Sequence, residues 1–195
     1  MTDTSWRKLA PYYPWMRNNP FSVSFLKREQ AAARGLLTRL KDTPIDVAVD
    51  LGSGSGHSLS LIPERTQITI AVDNCPEMIA VCRSRYGYIL YLQADACQLP
   101  IKSDSLDLVF CIGLLEYIAD VPLLLSEIHR ILKKKRWLIL SNAPPGPLNA
   151  LRRLLGPRLY LRRPAEIEKL INTQKFRIKN QSKTSLQRQY LLQKH

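Results

Sequence analysis

Runs of apolar residues alternate along the chain with stretches in which apolar positions recur every three or four residues. Val47–Leu51, Ile68–Asp73, Tyr88–Gln93, Ser105–Ile112 and Arg136–Ser141 read as strands, four of them nearly all apolar, as expected of strands covered on both faces. Between and before them the period lengthens. Phe21–Leu40 carries apolar residues at 21, 25, 32, 33, 36, 37 and 40 and predicts a helix. His57–Ile62 predicts the start of a crossover helix stopped near Pro63. Pro76 sits in the first turn of another helix reaching about Tyr86. Val121–Leu132 predicts a helix with Asp120 as N-cap, and Lys133–Arg136 at its end favour the helix dipole. Pro164 opens a last helix to about Thr173, after which Phe176–Ser182 and Leu186–Gln193 pair as a hairpin. Strands alternating with helices predict an α/β fold with a doubly wound, mostly parallel sheet.

The first strand runs into Asp50-Leu-Gly52-Ser53-Gly54-Ser-Gly56. Glycines there let a ligand approach main-chain N–H groups where a Cβ would collide. The dinucleotide spacing Gly-x-Gly-x-x-Gly fits neither frame, because His57 or Leu59 takes the third position. The second strand ends in Asp73-Asn74, about 20 residues past the loop, where an acid suits ribose hydroxyls. The third strand ends at Ala94-Asp95-Ala96, and the fourth at Cys111-Ile112-Gly113.

The Asp-x-Gly-x-Gly-x-Gly loop, with these motifs in order, resembles class I S-adenosylmethionine-dependent methyltransferases. Asp95-Ala-x-x-Leu99-Pro100 and Leu106-Asp107-Leu-Val109 resemble the ubiquinone/menaquinone-methyltransferase-like (methyltransferase type 11) branch. The resemblance runs from about Pro44 to Asn142 and more loosely to the C-terminus. It implies a Rossmann-like seven-stranded sheet with a C-terminal antiparallel hairpin, and S-adenosylmethionine as cofactor. It implies cofactor contacts at Asp50, Gly52, Ser53, Gly54, Gly56, Asp73, Asn74, Asp95, Ala96 and Cys111. Trp6-Arg-Lys-Leu-Ala10-Pro-Tyr12-Tyr13 resembles the family's entry motif, whose tyrosine, here Tyr13, helps cover the cofactor; Pro14 replaces the usual acid. The four aromatics of this segment suit either a lid or packing on the sheet.

An activated methyl needs alignment more than it needs a base, so no universal catalytic residue is implied. Glu116 and Tyr117, just beyond the fourth strand, are the nearest candidates. Some relatives carry histidine where Tyr117 stands, and a tyrosine with an ordinary pKa of ~10 is a poor base, which favours an aromatic packed over the cofactor. No metal ligand set is expected: the cysteines at 75, 82, 97 and 111 lack metal spacing, and His57, His129 and His195 have no second ligand beside them.

One domain over 1–195 is expected, with an N-terminal helical and aromatic cover (1–43), a cofactor-binding core (44–142) and a substrate-side flap with closing hairpin (143–195). Charge divides along the same lines. Residues 1–40 carry a net +5, 41–120 a net −6 and 121–195 a net +14, within an overall +13. A basic flank attracts phosphates, nucleic acid or anionic lipid, or simply solvates a face. Its most directed piece, Leu148–Arg163, has five arginines, six leucines and no acid, broken at Gly156-Pro157. It reads either as a basic amphipathic flap able to touch an anionic membrane or as leucines completing the core. No apolar run approaches the ~18 residues of a spanning helix, and no apolar secretory core opens the chain. The expectation is a cytoplasmic enzyme, peripheral at the inner face of a membrane if that segment is the flap and not if its leucines complete the core. Its acceptor is expected to be small or lipid-like, since the Asn-Pro-Pro-Tyr motif of many amino-group nucleic-acid methyltransferases is absent. An RNA methyltransferase and a non-catalytic cofactor-binding subunit are the alternatives; the oligomeric state is open.

Overall fold

The computed structural model describes residues 4–12, 20–155 and 157–195, without the side chains of residues 4, 5, 8, 21 and 155. Seven strands form one sheet: β1 (Val47–Leu51), β2 (Ile68–Asp73), β3 (Leu90–Gln93), β4 (Leu106–Cys111), β5 (Leu132–Asn142), β6 (Phe176–Lys183) and β7 (Arg188–Lys194). Their order is β3-β2-β1-β4-β5-β7-β6. The first five are parallel, and β7 lies antiparallel between β5 and β6. The doubly wound sheet with a reversed closing hairpin is thus the observed architecture.

Among the described residues six helices surround it: α1 (Thr4–Leu9), α2 (Pro20–Leu37), α3 (Pro76–Arg83), α4 (Val121–Ile131), α5 (Pro147–Leu155) and α6 (Pro164–Thr173). β4 is buried at every position, which is why it reads as a continuous apolar run rather than an alternating one. Its Val109 and Cys111 face a core completed by Leu124, Ile128, Ile167 and Ile171 of α4 and α6. Its Leu108 and Phe110 face Ala33 and Leu36 of α2. The outermost strand, β6, instead alternates buried and exposed positions, having only one face to cover. Asp120 caps α4 as expected, its carboxylate accepting the Leu123 N–H at 3.0 Å.

Two local expectations are corrected. The segment after the glycine loop holds a single 3₁₀ turn, Leu59–Leu61, and no crossover α-helix. Six residues between Gly56 and Pro63 are too few to repay helix nucleation. Ser58, at the start of that turn, gives its hydroxyl to Asp50 instead of capping. β5 also begins four residues early. Lys133–Arg136 are strand residues rather than the tail of α4, because the buried Asp107 draws them in. Its carboxylate lies 2.9 Å from Lys133 Nζ and 3.1 Å from Arg136 Nε, and accepts the N–H groups of Asp46 and Val47 at 3.0 and 3.1 Å. Lys135 takes the strain of this detour at φ +60°, where the β4–β5 register also shifts. Asp107 therefore joins the starts of β1, β4 and β5 at the edge of the sheet opposite the glycine loop.

Candidate active site

The carboxyl ends of β1, β2, β3 and β4 meet at one edge of the sheet, the crevice where open α/β sheets take ligands. The loop after β1 places Gly52, Gly54 and Gly56 at φ +67°, +51° and +85°. Their reasons for being glycine differ. A Cβ on Gly52 would sit 2.8 Å from Leu114 Cδ1, and one on Gly56 2.6 Å from a Tyr86 ring carbon. Both serve the protein's own packing. A Cβ on Gly54 would meet nothing nearer than the Gly52 carbonyl at 3.9 Å, so this glycine faces open space. It is the position where close approach of a ligand supplies the reason.

Asp73, at the tip of β2, accepts the Gly54 N–H at 2.9 Å on one oxygen and the Cys75 N–H at 2.9 Å on the other. Burial raises its pKa, and the N–H groups of Cys75, Gly54 and Asn74 hold the rise back. Asn74 beside it is exposed. The Ala94 N–H donates to the Asp73 carbonyl at 3.1 Å, so the tips of β2 and β3 are adjacent. There Asp95 is exposed and accepts the Cys97 N–H at 2.9 Å, while Ala96 is buried. Asp50 lies beneath the loop, fully buried. Burial pushes its pKa up to about 7, against the Ser58 hydroxyl donated at 2.6 Å and with a smaller upward push from Asp73. Among the described residues its second oxygen and the buried Ser55 hydroxyl have no partner. Unpartnered buried polar atoms in a ligand crevice call for a polar ligand. Ser53 is also buried, with its N–H tied to the Val72 carbonyl at 2.9 Å.

Beside the loop opens a small cleft, about 70 Å³ in volume, bounded by Glu29 and Gln30 of α2, Gly52, Gly54, Ile112 and Gln187. Asp73 and Asp95 do not line it. Glu29, Gln30 and Gln187 were not among the expected site residues. Gln30 Nε2 donates to the His57 carbonyl at 2.9 Å, and Gln189 Nε2 donates to the Glu29 carbonyl at 3.1 Å. One signal was readable: Glu29 stands in register with Ala33, Leu36 and Leu40, an acid on the buried face of its helix. Gln187 and Gln189 carry no comparable local signature.

Cys111 can meet a cofactor only through its main chain. Its side chain is fully buried in the core among Val109, Leu115 and Leu140, and burial drives its thiol pKa far up. Glu116 and Tyr117 sit in a 3₁₀ turn, Leu115–Tyr117, and point to different tasks. Glu116 is fully buried and paired with Arg152 of α5, Nη2 to Oε1 3.2 Å, while its carbonyl accepts the Tyr160 N–H at 2.7 Å. Tyr117 meets Trp6 of α1 edge to face, ring centroids 5.1 Å apart. On the same helical segment Ala10 packs with Cys75 and Met78 at the start of α3. The N-terminal segment therefore reaches from the tip of β2 to the loop after β4. Tyr13 lies outside the described residues. His129 is remote from the crevice, edge-on to Phe176, and among the described residues no three His, Cys, Asp or Glu side chains gather as a metal site.

A family model described as a methyltransferase domain matches residues 49–140. The malonyl-[acyl-carrier protein] O-methyltransferase of a Marinomonas species is 29% identical over 130 residues, covering 64% of this chain and 48% of that protein. The trans-aconitate 2-methyltransferase of an Azoarcus species is 29% identical over 158 residues, covering 73% and 61%. The chain spans about half the length, or less, of the first curated relatives it matches. Among solved structures, a chain of the complex between the Haloferax volcanii Trm112 methyltransferase activator and a methyltransferase has a TM-score of 0.78 at 19% identity, covering 96% of this chain and 98% of that one. Magnesium protoporphyrin IX methyltransferase from Synechocystis, with bound SAH, has a TM-score of 0.70 at 21% identity, covering 89% and 84%.

Proposed function

We propose that the chain, whose residues 49–140 match a methyltransferase domain, is a class I S-adenosylmethionine-dependent methyltransferase that transfers the methyl group of that cofactor to a small or lipid-like acceptor by in-line displacement. The observation that carries this reading is Gly54, open at its Cβ position and bonded to the Asp73 carboxylate at the crevice. When bound, S-adenosylmethionine supplies a methyl group already activated on a sulfonium sulfur. The chain's own task is then to hold, align and desolvate.

Asp73 keeps its remaining lone pairs for ribose hydroxyls, and Gly54 lets the ligand lie against the main chain. The free oxygen of Asp50 and the Ser55 hydroxyl suit the ammonium and carboxylate of an amino acid. Asp95 and the main chain of Ala96 border the space for a base. Trp6 and Tyr117 present an aromatic cover that excludes water. Glu116 pairs with Arg152 through Oε1, which holds α5 beside the site, while among the described residues its buried Oε2 has no partner. Rate then comes from positioning.

The confined cleft beside the loop favours a small acceptor or the head of a lipid-like one. Relatives named for malonyl-[acyl-carrier protein], trans-aconitate and magnesium protoporphyrin IX support that class. Incubation with methyl-labelled S-adenosylmethionine and separated lipid, metabolite and RNA extracts tests it. Label is expected in the lipid or metabolite fraction. Label in RNA, with binding that falls steeply with salt, establishes the RNA alternative instead. Cofactor binding without label in any fraction establishes a non-catalytic subunit.

A further inference from the structure

α5 is amphipathic in the reverse of the usual sense. Two of its polar side chains face the protein: Asn149 is buried and donates to the Pro144 and Leu186 carbonyls at 2.8 and 2.9 Å. Arg152 reaches inward to Glu116 and to Asn149 Oδ1 at 2.8 Å. Three of its leucines face outward. Leu148, Leu151 and Leu154, three apart and so on one side of the helix, are 37%, 51% and 79% exposed. Folding alone does not explain them, since a helix held by two polar anchors leaves its apolar residues in water. Leu159, in the same basic segment, is by contrast buried in the body. The core reading of this segment therefore holds for Leu159 and fails for the three leucines of α5.

We propose that the outer face of α5 docks the protein on an anionic lipid surface. Charge complementarity chooses this occupant. Arg153, Arg158 and Arg163 of the same segment are exposed, Arg158 with its guanidinium over the Tyr160 ring at 4.9 Å, and no acidic residue stands between Glu127 and Glu166. A second copy of the chain fits less well, because a twofold contact through α5 sets these arginines against their own counterparts. Three leucines are also a small patch against the ~1,200–2,000 Å² a stable interface buries. A basic, leucine-bearing face matches what interfacial helices present to lipid. Two of the arginines in the segment are not available for this. Arg152 is held by Glu116, and Arg162 donates to the carbonyls of Ile118 and Ala119 at 2.7 and 2.9 Å. The inner side of α5 touches Glu116 and Leu186, beside Gln187 of the cleft, so a docked protein brings its acceptor side to the lipid.

Flotation with vesicles of phosphatidylcholine, with and without phosphatidylglycerol, tests the docking without any call on catalysis. The wild-type chain is expected to float with the anionic vesicles at low salt, to be released at high salt, and to ignore phosphatidylcholine alone. The variant L151S/L154S should lose roughly tenfold or more in binding, and R153S/R158S roughly fivefold per arginine, the factor equivalent to ~1 kcal/mol. Both variants alter exposed side chains, so their melting temperature and S-adenosylhomocysteine affinity should stay at wild-type values. Absence of flotation at low salt overturns the proposal, as does flotation that L151S/L154S leaves unchanged. A concentration-dependent dimer abolished by L151S/L154S overturns it in favour of self-association. Salt-sensitive RNA binding without flotation overturns it in favour of nucleic acid.

Discussion

The Asp73 carboxylate bonds the Gly54 N–H at 2.9 Å, joining the tip of β2 to the middle of the glycine loop after β1. One side chain thus shapes the loop and offers acceptors to a ligand at the same crevice. Asp73→Ala is expected to weaken S-adenosylhomocysteine binding roughly tenfold to a hundredfold, the loss of a charge-assisted bond worth about 1.5–3 kcal/mol. Titration calorimetry reads this directly. Unchanged affinity contradicts the assignment.

Gly54→Ala and Gly56→Ala should fail in different ways. Gly54 has space for a methyl group, so its variant carries only the strain of a positive φ, about 1–2 kcal/mol, while the added carbon blocks the ligand. Gly56→Ala pushes a carbon to 2.6 Å from the Tyr86 ring and should lose about 2–4 kcal/mol of stability. Thermal melts with and without S-adenosylhomocysteine separate the two. Gly54→Ala should lose the ligand-induced rise in Tm, and Gly56→Ala should begin from a lower Tm.

At the opposite edge of the sheet, Asp107→Ala should cost roughly 3 kcal/mol and leave cofactor affinity intact. Burial favours the neutral acid, yet the Lys133 ammonium, the Val47 and Asp46 N–H groups and the Arg136 guanidinium together keep its pKa below the usual carboxylate range. Its stabilisation is present above the unfolded pKa of ~4 and is lost as pH falls through the lower folded value. Urea melts at neutral pH and near pH 3 should show the gap between wild type and variant close in acid.

Asp50 behaves in the opposite direction. With its folded pKa raised to about 7, its stabilising contribution is complete below the unfolded value of ~4 and is lost as pH climbs towards 7. Asp50→Asn should remove that slope, which melts from pH 4 to 8 will reveal. S-adenosylhomocysteine, whose amino group is cationic, should bind more tightly as Asp50 ionises, by up to tenfold per pH unit below 7. Calorimetry at pH 6 and pH 8 checks this. Equal affinities at both place the ammonium elsewhere.

The strands were legible because burial on both faces writes itself as an apolar run: β1, β2 and β4 stand within a residue or so of their expected limits. β5 was not, since its start is set by Asp107, a charge 26 residues from Lys133. A window of sequence sees four basic residues after a helix and assigns them to its dipole. The glycine loop was legible as a motif, but the division of labour among its glycines rests on Leu114 and Tyr86, far along the chain. The inward turn of Arg152 depends on Glu116, 36 residues earlier, and the side-chain direction of Cys111 on strand register. Pairing across such distances is a property of the folded chain, and no local period carries it.

Gln189 bonds the Glu29 carbonyl across 160 residues, and Gln187 walls the same cleft as Glu29 and Gly52. A ribosome adds about 5–20 residues per second, so at least ~8 seconds of synthesis separate these two walls. The glycine loop and Asp73 emerge well before the closing hairpin, and whatever they hold in that interval is held in a half-built crevice. The nascent chain therefore presents an unfinished receptor through that interval, and its cleft takes final shape only when the turn that carries Gln187 leaves the exit tunnel.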